Sequence, residues 1–166
     1  MRLINDRALF QNLLSRRGPL GTVLAMDVGS KRVGLALSDP TLMLASPLIS
    51  IPRAFPETSP ESISAFAAKV AAIVRQHRVS AVVVGLPLLD GLPTRNSHGV
   101  LAFVRALSIE PSLALLPCLP WDESFTTSEA RALLKRSSGK RSVFLRNKDT
   151  LAASLILQRY LEETRA

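Results

Sequence analysis

Cysteine is almost absent from this 166-residue chain, where Cys118 stands alone. An intramolecular disulfide framework is therefore excluded, and so is a cysteine-rich zinc site. Acids are scarce as well: 13 Asp and Glu face 21 Lys and Arg, a formal charge of +8. That imbalance points to a polyanionic partner, nucleic acid first. No apolar run approaches the roughly 18 residues that a membrane span needs, so no membrane partner is expected. Internal repeats and low-complexity tracts are missing. Length sets a further limit, because about 100–200 residues make one domain and leave no room for a two-lobed kinase. The 47% hydrophobic and 20% charged residues suffice for a core without staples and oppose disorder.

The order of elements follows from apolar runs and their punctuation. Met1 to Arg17 holds four arginines and one acid, Asp6, with apolar residues near helical spacing. We expect a basic amphipathic helix within residues 1–20, packed on a single domain over 21–166. It lacks the apolar core and cleavage site of a secretory signal. A cytoplasmic location is expected, with a mitochondrion or plastid as the alternative. Strands are expected at Thr22–Met26, Val33–Leu37, Ser46–Ile51, Ala81–Val84 and Leu113–Leu119. Ser59-Pro60-Glu61 is a helix start, and the apolar face from Ile63 carries that helix to about His77. Further helices are expected over Ser97–Leu107, from Thr126 toward Arg136, and over Asp149–Leu161, with a loop at Ser137–Arg146. The sum is a mixed α/β sheet with helices on both faces.

Three acids lie where chemistry can use them. Asp27 ends the first strand before a glycine turn, Glu123 follows the fifth strand beside Asp122, and Asp149 opens the last helix. Gathered together, such carboxylates repel one another unless cations neutralise them. Hard oxygen ligands select Mg²⁺ or Mn²⁺, and two such ions can activate a water and stabilise the leaving oxygen of a phosphodiester. Taken singly, each acid has an ordinary reading: a turn cap at Asp27, a pre-helix pair at Asp122 and Glu123, an N-cap at Asp149. Basic residues surround these positions. Arg131, Lys135, Arg136, Lys140, Arg141, Arg146 and Lys148 run into Asp149 without an acid between them, and Lys31 and Arg32 flank Asp27. A phosphate backbone approaching the acids needs such a counter-field, although a charge run is more often a solvated face. His77, Trp121 and Cys118 read as structural, and His98 as a weak substrate contact.

Four blocks in order resemble one family. They are Ala25-Met26-Asp27-Val28-Gly29-Ser30-Lys31-Arg32-Val33-Gly34 running to Asp39, then Val84-Gly85-Leu86-Pro87 with Asp90-Gly91. Trp121-Asp122-Glu123-Ser124-Phe125-Thr126-Thr127 follows, then Lys148-Asp149-Thr150-Leu151-Ala152-Ala153. Over about Gly21 to Glu162 the chain resembles the YqgF/RuvX family of Holliday junction resolvases or pre-16S rRNA nucleases. The resemblance implies a ribonuclease H-like fold, a five-stranded mixed sheet whose first three strands are antiparallel. It implies divalent-metal nuclease chemistry on structured nucleic acid, pre-rRNA or branched DNA, with the ribosome as a further partner and a monomer or homodimer as the working form. Its acidic positions fall on Asp27, Glu123 and Asp149. Two departures stand out: Ser124 replaces the usual Arg, and Leu88-Leu89 stand where an Asn normally precedes Asp-Gly. Two other readings fit the same residues: a nucleic-acid-binding protein with lost or marginal activity, and a kinase-like phosphate turn at Asp27-Val28-Gly29-Ser30.

Overall fold

The computed structural model describes residues 1–16, 18, 21–53, 59–89, 92–122 and 141–165, with the backbone alone for 141–147. The strands are β1 (Arg2–Leu3), β2 (Thr22–Val28), β3 (Arg32–Ser38), β4 (Ala45–Pro52), β5 (Val79–Leu86), β6 (Leu88–Leu89), β7 (Leu92–Pro93) and β8 (Pro117–Asp122). The helices are α1 (Arg7–Ser15), α2 (Pro60–Gln76), α3 (Arg95–Ala106), α4 (Pro111–Ala114) and α5 (Arg141–Glu163). The main sheet runs β1-β8-β5-β2-β3-β4, and β6 and β7 form a separate hairpin. β2, β3 and β4 pair antiparallel, whereas β5 and β8 run parallel to β2.

Alternation along the strands sorts the core into two layers. Leu24, Met26, Val82 and Val84 face one way, where Phe66 and Val70 of α2 and Val100 and Phe103 of α3 cover them. Val23, Ala25, Ala81, Val83, Leu119 and Trp121 face the other way, under Ile156, Leu157 and Tyr160 of α5 and Phe10 and Leu14 of α1. β5 is buried along its whole length, as a parallel strand covered on both faces must be. The helix starts are chemically marked. Ser59 caps α2 by accepting from the Ser62 N–H, and Thr94 with Ser97 forms a reciprocal capping box on α3.

Three expectations change. The chain start supplies a strand before its helix: the Arg2 N–H donates to the Leu116 carbonyl at 3.0 Å and the Ile4 N–H to Cys118 at 2.8 Å. β1 thus covers part of the β8 edge and makes a sixth strand, satisfying carbonyls that an open edge leaves bare. Leu113 belongs to α4 rather than to the fifth strand. Pro117 opens β8, because a strand's first residue tolerates a missing N–H. The last helix begins at Arg141, eight residues before Asp149. The stretch from Arg141 to Lys148 contains neither Gly nor Pro, so nothing in its chemistry stops a helix. The helix expected from Thr126 falls outside the described residues.

Candidate active site

Asp27 continues the face of β2 that begins with Val23 and Ala25, so its carboxylate points to the α5 side of the sheet. It is the next-to-last residue of β2, at the carboxyl edge. In the antiparallel register it pairs with Gly34, and Gly34 pairs with Ser50. Ser50, Gly34 and Asp27 therefore form a row across three strands. α5 crosses this row at Gly34. A Cβ at position 34 would sit 2.0 Å from the Asp149 carbonyl oxygen and 3.0 Å from the Asp149 Cβ. Only a residue without a side chain lets the helix backbone rest there. The glycine thus sets Asp149 down beside Asp27.

Electrostatics records the meeting. Burial pushes the Asp27 carboxyl up from 3.8 to about 6; the neighbouring Asp149 carboxylate adds to the rise and Lys148 opposes it. Asp149 itself is held from the β4 side. Its Oδ2 accepts from Ser50 Oγ at 3.1 Å and lies 3.5 Å from Arg32 Nε. Arg32 in turn donates from Nε to Ser50 Oγ at 2.7 Å and from Nη2 to the Ser50 carbonyl at 2.8 Å. Arg32, expected to meet nucleic acid, is thus tied to an acid of the site. Ser50 had no sequence signal of its own, because its role depends on strand register.

The remaining expected residues divide by position. Lys148 is exposed beside the pair, and Lys31 is exposed in the turn after β2. Arg141 and Arg146 lie on α5. Glu123, Lys135, Arg136 and Lys140 fall outside the described residues. β8 runs parallel to β2 through β5, with Met26, Val84 and Pro120 level in register. Its last residue, Asp122, therefore stands at the same sheet edge as Asp27. Trp121 is buried, with its ring edge-on to Tyr160 at 5.3 Å and the Arg7 guanidinium over it at 4.1 Å. Cys118 is buried, and its thiol is pushed up to about 12 by that burial.

Among the described residues, no three His, Cys, Asp or Glu side chains gather. What gathers is one pair of carboxylates, half-buried and mutually repelling. Two hard oxygen donor groups whose repulsion a cation would relieve fit a divalent ion.

Comparison with known proteins decides the family. The family described as "RuvX: Holliday junction resolvase" matches residues 21–163. The chain belongs to the RuvX family. Curated relatives of this RuvX chain carry the name "Putative pre-16S rRNA nuclease". The one from Roseiflexus sp. (strain RS-1) is 38% identical over 146 residues, covering 87% of this chain and 96% of its own. The one from Rickettsia bellii (strain OSU 85-389) is 32% identical over 160 residues, covering 96% of each chain. The RuvX chain is accordingly a nuclease, a hydrolase of phosphodiester bonds. Its fold is that of Thermus thermophilus RuvC, solved alone (TM-score 0.56, 15% identity, 87% of this chain and 96% of that one). RuvC in complex with a Holliday junction substrate gives TM-score 0.55 at 16% identity, over 88% of this chain and 96% of that one. The mixed sheet expected from the resemblance, with its three antiparallel strands, is observed with β1 added as a sixth strand.

Proposed function

We propose that this chain is a Mg²⁺- or Mn²⁺-dependent endonuclease that trims the 5′ end of pre-16S rRNA, with the assembling ribosome as its partner. The observation that carries the reading is the seating of Asp149 on Gly34, which sets two carboxylates side by side at the carboxyl edge of the sheet. The substrate reading draws on the relatives' name and on coverage of nearly the whole chain. A bound divalent cation supplies an activated water and a stabilised leaving oxygen. Asp27 and Asp149 would hold it, with Glu123 as the third carboxylate. The chain's own residues do the rest. Ser50 and Arg32 fix the orientation of the Asp149 carboxylate through the bonds already given. Burial keeps water from screening Asp27, and the Lys148 charge favours its ionised form. A second reading, cleavage of four-way DNA junctions, is favoured by the family's description.

The test is digestion of a precursor 16S rRNA leader alongside a synthetic four-way junction, with and without Mg²⁺. Metal-dependent cleavage of the leader is expected, with a loss of at least about 100-fold in Asp27→Asn. Cleavage that persists in that variant contradicts the mechanism. Cleavage of the junction with the leader left intact replaces the substrate reading.

A further inference from the structure

Asp27 borders a cleft of about 500 Å³ at the carboxyl ends of β2 and β5, walled by α3. Among the described residues Asp27 is the sole acid of its lining, and Gly29 and Ser30 of the β2–β3 turn, Arg53, Arg95 and Asn96 contribute to its walls. The two arginines come from separate elements. Arg53 follows β4 and bridges the turn to α3. Its N–H donates to the Lys31 carbonyl at 2.9 Å, its Nη1 donates to the Gly29 carbonyl at 3.0 Å, and its guanidinium lies over the Phe103 ring at 4.2 Å. Arg95 is the first residue of α3 and is exposed. Neither belongs to the basic run between Arg131 and Lys148.

We propose that this cleft receives the sugar–phosphate backbone of the substrate, with Arg53 and Arg95 each neutralising a phosphate beside the scissile one. The inference rests on the nuclease reading above and adds binding residues to it. Three features of the cleft converge on a phosphodiester chain. It ends at Asp27, where the scissile phosphate must come. Its two cations are guanidiniums, whose planar forks match phosphate oxygens in pairs. Arg53 is immobilised by a carbonyl and an aromatic face, so little side-chain freedom is lost when it takes a phosphate. Arg95 stands on the first turn of a capped helix, a rigid base at the cleft mouth. Contacts of this kind fix register and add affinity, and they carry no sequence information.

The experiment is fluorescence anisotropy with a labelled RNA hairpin from the precursor leader. It is run in EDTA, so that no cleavage occurs, over a series of salt concentrations. Arg95→Ala should weaken binding about 5-fold and lower the slope of log affinity against log salt by about 1, as loss of one phosphate contact requires. Arg53→Gln should do the same, the double variant should lose about 2 in slope, and Arg95→Lys should recover the wild-type slope. Arg105→Ala is the control, because it removes equal charge from the far end of α3. Slopes in Arg95→Ala and Arg53→Gln no different from that control overturn the proposal. Should Arg53→Gln melt early, the exposed Arg95 decides alone. The two readings fail separately. Arginine-dependent binding without Mg²⁺-dependent cleavage of the leader would remove the proposed function and uphold the cleft. Cleavage with unchanged slopes would remove the cleft and uphold the nuclease.

Discussion

Asp27 costs the fold stability, and the cost depends on pH. Burial and the Asp149 carboxylate raise its carboxyl from 3.8 to about 6. A raised acid favours the folded state only while protonated. Its stabilisation is complete below pH about 4 and is lost as pH climbs through about 6. A rise of about two units corresponds to roughly 2–3 kcal/mol. Asp27→Asn keeps the shape and removes the charge. In EDTA at pH 7.5 it should therefore unfold at higher denaturant than wild type, with a gain of about 2 kcal/mol, and the gain should disappear by pH about 4. Chemical denaturation at the two pH values checks this. A wild type as stable as the variant at pH 7.5 would show that the carboxylate is not strained. The place of Asp27 at a strand end was legible from an acid that closes an apolar run before a glycine turn. Its strain was not, since it comes from burial in the folded chain and then from a residue 122 positions away in sequence.

Between elements, the decisive contact is α5 on β3. The sequence shows an acid on a buried helix and a glycine in a strand, but not that they touch. The touch depends on the β2–β3–β4 register and on the angle at which the helix crosses. Reading Asp149 as the helix start missed the turns that precede it, because a basic Ser- and Gly-containing stretch resembles a loop. The fifth strand was misplaced for a similar local reason. Leu113 to Leu119 is apolar throughout, and apolarity alone does not separate a short helical turn from a strand. Gly34→Ala tests the contact. A methyl group 2.0 Å from a backbone oxygen cannot be accommodated by rotating a side chain, so the helix must move. We expect a loss of about 2–3 kcal/mol in thermal or denaturant unfolding, together with a loss of divalent-ion affinity. Wild-type stability and affinity in that variant would mean that the helix does not rest on the glycine.

For the molecule as a whole, composition anticipated a basic nucleic-acid protein, and the order of apolar runs anticipated a mixed sheet with helices on both faces. The N-terminal segment shows where that reading stopped. Its amphipathic spacing gave a helix, and the helix is there, but β1 was illegible because two residues carry no periodicity. The segment is tied into the core on the α5 side: Phe10 is fully buried, edge-on to Tyr160 at 5.8 Å, while Arg7 covers Trp121. Phe10→Ala should lower stability by about 3–5 kcal/mol, as read by denaturant unfolding. A cost under about 1 kcal/mol would make α1 an appendage. The account as a whole depends on two carboxylates from distant parts of the chain sharing one cation. Titration with Mn²⁺, followed by the electron paramagnetic resonance of the free ion, tests that most directly. Wild type should bind Mn²⁺, and Asp27→Asn and Asp149→Asn should each weaken binding by at least about 10-fold. Equal affinity in wild type and both variants would contradict the account.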